Sequence, residues 1–302
     1  MQSFPYTEHY TDTHTVFNQI LKIVTKIYNK CVPDKIKKRK NIAKLIQSDR
    51  VIIACVLWGI MLGYTSQRDT YRAVRTILSF TEFPSRTRYT RLCANLVYAI
   101  KIIRFFFMKQ KTKHITTAIV DSFPSPFCKE IRNRRAKVLC SIAEIDYNST
   151  KEMYYYGVKI SAAVTETGFP FAYVVSSPKI HDVQLLETLV NEAPIPHILG
   201  DKGYISGSIQ DKLAQKGVTV TTPLRKNMKN ADKIDYILLG KRRKKIETVF
   251  SSLEKLGIQN FRSRSLLGFE SRLESLLLVY CLMLDKARER FGNTLKYSLG
   301  CF

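Results

Sequence analysis

The stretch YYYGVKISAAVTETGFPFAYVV, residues 154–175, decides the architecture of this chain. It holds two runs rich in aromatic and β-branched residues, Tyr154 to Val164 and Phe169 to Val175. The joint between them, Thr165-Glu166-Thr167-Gly168, is short, polar and carries glycine at a turn position. Two such runs around such a joint are typical of a β-hairpin. The middle of the chain is therefore predicted to belong to a β-sheet.

Shorter apolar runs on both sides extend this sheet. Ile115 to Val120 precedes the hairpin, and Ile195 to Leu199 and Val218 to Thr222 follow it. Patterns of helical period lie between and after the later runs, at residues 182–191, 208–215, 241–256 and 269–290. This order predicts a mixed α/β layer, with antiparallel strands first and parallel strands added afterwards.

The part of the chain before the sheet has a helical pattern. Val16, Ile20, Ile23 and Ile27 recur at helical spacing, and similar spacing continues to about Met108. We predict an all-α N-terminal region, residues 1–112, and a second domain, residues 113–302. Segments 66–79 and 87–108 follow one another in the manner of a helix-turn-helix module. A DNA-reading module and an ordinary helical bundle both fit this spacing.

The charge of the chain is strongly unbalanced. The sequence has 49 Lys and Arg against 25 Asp and Glu, a formal net charge of +24. Such a field attracts polyanions, either nucleic acid or an acidic membrane surface. The longest uncharged apolar run, Val51 to Ser66, is shorter than the roughly 20 residues of a membrane span, so it predicts a buried helix and no membrane partner.

Cysteine and histidine usage argues against a zinc or disulfide framework. The seven cysteines form no C-x-x-C pair, and the five histidines are scattered. The segment from Met1 to His14 is polar and lacks the apolar stretch of a signal peptide. We therefore expect a protein of the reducing cytoplasm.

Three carboxylates occupy positions where side chains converge. Asp121 and Asp201 each follow a predicted strand, and Glu247 borders the apolar face of a predicted helix. Three hard oxygen donors suit Mg²⁺ or Mn²⁺, and a pair of such ions activates a water or a 3′-hydroxyl against a phosphodiester. Taken singly, the two aspartates also fit turns and Glu247 an ion pair with Arg243. Glu254, two turns along the same helix, is a rival third ligand.

Six short motifs extend along the second part of the chain. They are VDSFP at 120–124, YYYGVK at 154–159, SPKIHD at 177–182, GDKGYIS at 200–206, TPLRKNM at 222–228 and RRKKIETVF at 242–250. On these motifs the chain resembles bacterial insertion-sequence transposases with a DDE domain, and most resembles the nine-eight-two group of those elements. The resemblance covers residues 115 to about 264 well and the helical part more loosely.

The resemblance implies an RNase H-like catalytic domain with Asp121, Asp201 and Glu247 as catalytic residues and ligands of two Mg²⁺ or Mn²⁺ ions. It implies hydrolysis at the ends of a DNA element, followed by strand transfer into target DNA. The expected partners are double-stranded DNA, both element ends and target, and a second copy of the chain on that DNA. The expected location is the bacterial cytoplasm at the nucleoid. Of the Tyr, Arg and Lys that surround the Glu in related enzymes, only the Arg is matched, by Arg243; the other positions hold Gly240 and Glu254, so those roles are not transferred.

Basic residues near the carboxylates are the predicted DNA contacts. One cluster follows Asp121 and another precedes Glu247. The residues that we expect to contact the DNA backbone are Arg134, Arg135, Lys202, Arg242, Arg243 and Lys244. Two other functions remain open at this point, an RNase H-like nuclease that cuts without joining, and a DNA-binding protein without catalytic activity.

Overall fold

The computed structural model describes residues 12–148, 152–192, 195–224 and 236–299. Contacts divide the chain into two compact units. The helical unit comprises residues up to Lys111 and from Lys255 onward, and the sheet unit comprises Thr112–Glu254. None of the helices in the described ranges has the length and hydropathy to cross a membrane.

The helical unit is a bundle. Its helices are α1 Thr13–Cys31, α2 Asp34–Lys37, α3 Asp49–Met61, α4 Gln67–Ala73, α5 Arg86–Asn95, α6 Val97–Lys111 and α10 Leu266–Phe291, and α4 continues into a π-helical turn at Val74–Leu78. The run predicted to be a buried helix is α3, whose residues from Ile52 to Ile60 are all buried. Helix α1 presents a buried stripe that includes Val16, Ile20 and Ile27, as its spacing predicts.

Helix α10 is buried around most of its circumference, so it needs neighbours on every side. It packs against α3, α5 and α6. The Arg104 guanidinium of α6 donates from Nε and Nη2 to the two oxygens of Glu274 on α10, at 2.6 and 3.0 Å, and both side chains are buried. The sequence analysis grouped residues 255–302 with the second domain, whereas in the structure α10 packs with the N-terminal helices. Helical period reveals that α10 is apolar but not which helices surround it.

The sheet unit has the predicted alternation of strands and helices. Its elements are β1 Thr117–Pro126, β2 Glu144–Asn148, β3 Met153–Thr165, β4 Pro170–Ser176, α7 Asp182–Glu192, β5 His197–Leu199, α8 Gly207–Gln215, β6 Thr219–Thr221 and α9 Tyr236–Lys255. The hairpin of residues 154–175 is β3 and β4, and Gly168 at its turn has φ +91°. The short strand β2 has no counterpart in the sequence analysis.

The strand order confirms the predicted RNase H-like mixed sheet. Strand β3 is antiparallel to β1 on one side and to β2 and β4 on the other, while β5 and β6 are added parallel beyond β1. One face of the sheet packs against α7 and α8 through a core that contains Val120, Leu186, Leu189 and Leu213. The opposite face meets α9, where the rings of Phe123 and Phe250 lie 4.5 Å apart.

Strand β1 is longer than its apolar run. The sequence analysis ended it before Asp121, but pairing with β3 continues to Pro126. Strand β5 pairs with β1 only through Ile119, so the second half of β1 is an edge on that side. The N–H of Phe127 donates to Tyr156, and by strand alternation Pro124 and Pro126 lie where an N–H would point away from β3. Proline is tolerated at such positions because no ladder hydrogen bond is lost there.

Candidate active site

Asp121 lies at the middle of β1, on the face that meets α9. Alternate residues of a strand share a face, so Asp121 lies on the same side as Phe123, which packs against Phe250 of α9. Arg243 precedes Phe250 by seven residues, two helical turns, so the helix presents both on one side. Asp121 is consequently brought next to Arg243.

Asp201 lies directly after β5, the strand parallel to β1. Its Oδ1 accepts a 2.8 Å hydrogen bond from the N–H of Gly203, at the start of the short 3₁₀ helix Lys202–Tyr204. A Cβ at Gly200 would lie 3.0 Å from the Tyr204 side chain, tighter than ordinary contacts. The absence of a side chain at Gly200 therefore lets the chain turn closely enough to point Asp201 toward β1.

The charge of Asp201 acts on Asp121. The pKa of Asp121 is raised to about 6, chiefly by burial and further by the negative charges of Asp201 and Asp182. The N–H of Ser122, which donates to Asp121 Oδ1 at 2.8 Å, and the charge of Arg243 act in the opposite direction but do not compensate. Asp121 is thus a partly buried carboxylate whose surroundings lack enough positive charge, which is a typical feature of functional sites.

Asp182 is a third carboxylate at this place. It is the first residue of α7, and its Oδ1 lies 2.8 Å from the Nζ of Lys159 on β3. The Lys159 ammonium also donates to the carbonyl of Ile180. This lysine holds the loop before α7 against the sheet. The motifs around Lys159 and Asp182 were visible in the sequence, but their pairing was not.

Tyr204 connects the core to the carboxylates. Its side chain is buried in the core between the sheet and α7 and α8, and its pKa is raised, first by burial and then by the charges of Asp182, Asp121 and Asp201. The charges of all three acids therefore act on this buried hydroxyl. Sequence reasoning assigned it no role, because an aromatic residue after a strand is ordinarily part of the core.

Helix α9 presents Arg243 and Glu247 differently. Arg243 is half-buried beside Asp121, whereas Glu247, one turn further along, is exposed. Within the described ranges, no three His, Cys, Asp or Glu side chains are already gathered in an arrangement that could hold a metal ion. The structure thus places Asp201 and Asp182 where their charges act on Asp121, and it leaves Glu247 exposed on α9.

The predicted DNA contacts are mostly accessible. Lys202 and Lys244 are exposed, and Arg134 and Arg135 are exposed on the 3₁₀ helix Glu130–Arg135. Arg242 is paired with Glu166 of the β3–β4 turn, with 2.8 Å between Nε and Oε1. Residues 225–228 of the TPLRKNM motif lie outside the described residues.

Comparisons with known proteins bear on this site. The family model described as "Transposase DDE domain" matches residues 112–282. No curated protein matches the chain. Among solved structures, the chain is similar to one titled "Cryo-EM structure of piggyBac transposase synaptic complex with hairpin DNA (SNHP)", at 12% identity and a TM-score of 0.44, covering 97% of this chain and 81% of that chain.

Proposed function

The chain belongs to the transposase DDE domain family, and we propose that it cuts DNA at the ends of a mobile element and joins the freed 3′-hydroxyl to target DNA. We further propose that the element belongs to the nine-eight-two group of bacterial insertion sequences, whose motifs its sequence resembles. Both reactions are phosphoryl transfers in which an oxygen nucleophile displaces another oxygen at phosphorus. Water is the nucleophile in the first, and the 3′-hydroxyl in the second.

One observation carries this proposal. Asp121 lies on β1 and Asp201 directly after the neighbouring parallel strand β5, and the charge of Asp201 contributes to raising the pKa of Asp121 to about 6. Two carboxylates in a partly buried place repel each other, and a bound cation relieves that repulsion. A structural role would be served better by a pairing with arginine or lysine.

The donors fit a hard divalent cation. Carboxylate oxygens are the ligands that Mg²⁺ and Mn²⁺ prefer, and the described residues around Asp121 include no cluster of Cys or His side chains. We propose that Asp121 and Asp201 hold the ions and that Glu247 completes the set, with α9 supplying it from the rim of its buried face. When bound, a pair of such ions polarises the phosphodiester and lowers the pKa of the attacking hydroxyl.

The basic residues around the site would hold the DNA backbone. Arg243 already lies beside Asp121, so it would neutralise charge next to a phosphate that enters the site. Lys202 and Lys244 are exposed and free to reach phosphates further along the strand. Arg242 would exchange Glu166 for a phosphate. Such contacts position DNA without reading its sequence. Two chains would be needed to hold two element ends together.

Cleavage of a labelled duplex that carries the DNA flanking the protein's own gene tests the proposal. We expect the wild type to cut it only with Mg²⁺ or Mn²⁺ and then to transfer the strand to a plasmid. Asp121→Asn, Asp201→Asn and Glu247→Gln should each lose more than roughly 100-fold, because even outer partners of metal ligands are worth 10–100-fold. Glu254→Gln on the same helix is the matched control and should cut normally.

Each alternative has its own result. Cleavage without strand-transfer products would indicate a nuclease that does not join. Binding of the duplex by all variants, with no cutting by any of them including the wild type, would indicate a DNA-binding protein. Loss of activity in Glu254→Gln but not in Glu247→Gln would move the third ligand to Glu254.

A further inference from the structure

A surface patch lies in the sheet unit on β2, β3 and the 3₁₀ helix Glu130–Arg135, outside the acidic site. Tyr147 of β2 and Tyr154 of β3 are directly opposite each other in the antiparallel ladder, and their ring centroids are 5.0 Å apart. They remain 48% and 58% exposed. Ile131, on the 3₁₀ helix Glu130–Arg135, is 90% exposed. Large apolar side chains that are this exposed, and that lie on neighbouring elements, favour a binding surface.

A cleft of about 650 Å³ opens between the 3₁₀ helix and the strands. Its lining combines aromatic, aliphatic and cationic side chains, namely Ile131, Arg134, Arg135, Ile145 and Tyr154, with Glu130 at its edge. The cleft thus has an apolar floor on β2 and β3 and a cationic wall on the 3₁₀ helix.

Hydrogen bonds made by Asn133 hold the 3₁₀ helix against β3 and so fix the shape of this cleft. Its buried side chain donates from Nδ2 to the Tyr154 carbonyl at 2.9 Å, and its Oδ1 accepts from the N–H of Tyr156 at 3.1 Å. These are the bonds that another strand would make, in the stretch where β1 has ended at Pro126. The Tyr156 hydroxyl also donates to the Val138 carbonyl at 3.0 Å. Arg134 and Arg135 are therefore anchored beside Tyr154, because the residue before them is tied to the backbone of β3.

The charge around the cleft is strongly positive. Residues 129–137 contain five exposed cations, Lys129, Arg132, Arg134, Arg135 and Lys137, against the single acid Glu130. Duplex DNA would pair its phosphates with the cations, but its bases are stacked inside the helix. The exposed tyrosine rings of the protein would then have no base to stack on. A strand with unpaired bases satisfies both, because bases stack on aromatic rings while phosphates meet arginines.

We propose that this cleft binds unpaired nucleotides of a DNA strand. A base stacks on Tyr154, with Tyr147 and Ile131 at its borders, and Arg134 and Arg135 contact the flanking phosphates. The inference rests on the proposed function in naming DNA as the ligand, and it adds that the bound DNA is locally single-stranded.

Binding of a fluorescent oligothymidine of about 15 nucleotides, a length typical of one such site, tests the proposal by anisotropy. The full chain is used with the Asp121→Asn substitution and without divalent metal, so that binding is independent of cutting. Tyr154→Ala should weaken single-strand binding roughly five- to 100-fold, since base stacking has that range of effect, and Tyr147→Ala should weaken it less. Tyr154→Phe should bind like the parent.

Two controls separate stacking from a general loss. Tyr98→Ala removes another exposed tyrosine, 66% exposed on α6, and should leave single-strand binding unchanged. Binding of a blunt duplex of the same length should be unchanged in Tyr154→Ala, because duplex phosphates need only the arginines. A 2-aminopurine base in the oligonucleotide should lose fluorescence on binding to the parent and regain it in Tyr154→Ala.

The proposal is overturned if Tyr154→Ala binds the single strand like the parent, or if it loses duplex binding equally. It is also overturned if sedimentation shows that Tyr154→Ala and Tyr147→Ala convert a dimer to a monomer and that single-strand affinity follows the dimer alone. That last result would make the patch a contact between copies. Failure of the proposed function appears in a different assay, as absence of metal-dependent cleavage, and it leaves this binding measurement interpretable.

Discussion

The buried carboxylates of the two units have opposite environments. In the helical unit, Glu274 receives two hydrogen bonds from Arg104, and Asp49 receives one at 2.6 Å from Arg39 Nη2 and another at 2.9 Å from the Tyr28 hydroxyl. In the sheet unit, Asp121 faces the like charges of Asp201 and Asp182, which Arg243 does not balance.

This difference separates structural from functional charge. A buried carboxylate that is fully paired gains nothing from a ligand, and its loss leaves the partner cation stranded. A buried carboxylate among like charges destabilises the folded chain, and a cation relieves it. The helical unit thus uses charge to join α6 to α10, whereas the sheet unit holds an incompletely neutralised charge at the place where DNA chemistry is proposed.

The largest effect on stability is expected at the paired site. Glu274→Gln should lower the free energy of unfolding by about 3–5 kcal/mol, because it strands the buried Arg104 charge. Urea denaturation of the metal-free protein measures it. Replacing both partners, Arg104→Met with Glu274→Leu, should restore most of the loss, since an apolar pair needs no compensation. A loss of less than about 1 kcal/mol in Glu274→Gln would contradict the claim that Glu274 neutralises the buried charge of Arg104.

A smaller effect, of opposite sign, is expected at the unpaired site. The folded-state pKa of Asp121 is raised from 3.8 to about 6, so its contribution to stability is fully present below about pH 4 and is lost as the pH rises through about 6. The shift corresponds to about 3 kcal/mol. Without divalent metal, Asp121→Asn should match the wild type near pH 4 and exceed it above pH 6.5. Urea unfolding across that pH range measures the difference in the free energy of unfolding. Equal stability of the two proteins throughout would contradict the claim that the charge of Asp121 is incompletely neutralised.

Metal binding should stabilise the sheet unit only. With free Mn²⁺ at tenfold its dissociation constant, the gain is about 1.4 kcal/mol. Asp121→Asn should abolish this gain, whereas Asp49→Asn, at a paired carboxylate, should lower overall stability but keep the gain. Thermal unfolding with and without Mn²⁺ measures both. A gain that survives in Asp121→Asn would place the cation elsewhere.

Arg134 and Arg135 are exposed charges, in contrast to the buried charges of the two units. Arg134→Ala with Arg135→Ala should leave the free energy of unfolding within about 0.5 kcal/mol, as surface substitutions usually do. The same change should reduce the slope of log affinity against log salt for duplex DNA by about 1 per lost phosphate contact. Lys179→Ala, at another exposed cation paired with Glu144, is the control. An unchanged slope would exclude backbone contacts at these arginines.

Much of the sheet unit was predictable, because its signals are local. The turn glycine at 168 and the flanking runs predicted β3 and β4, and apolar runs predicted β5 and β6 in the observed order. Strand β2 was missed, since Glu144–Asn148 is a short edge strand that alternates polar and apolar residues over only a few positions. The end of β1 was misjudged because Pro124 is a turn signal locally, whereas an unpaired strand edge tolerates it.

The candidate site was predictable only as a set of residues. Asp121, Asp201 and Glu247 were selected from the sequence by their positions after strands and on a helix, and their joint role stays a prediction. Their electrostatics were not accessible, since the charges that act on Asp121 come from Asp201, Arg243 and Asp182, all more than 60 positions away in the sequence. The pairing of Lys159 with Asp182 could not be predicted either, because the two residues lie on different elements.

The sequence by itself determined the order of the strands and helices apart from β2, the mixed sheet and the inventory of carboxylates and cations. Those properties depend on hydrophobic period, turn residues and composition, which are set by residues close to one another in the sequence. Only the tertiary structure decided that α10 joins the N-terminal helices, that Asn133 takes the place of a strand beside Tyr154, and that Asp121 is left without a full counter-charge. Burial and electrostatic coupling depend on contacts between residues far apart in sequence, so they exist only once the chain has folded.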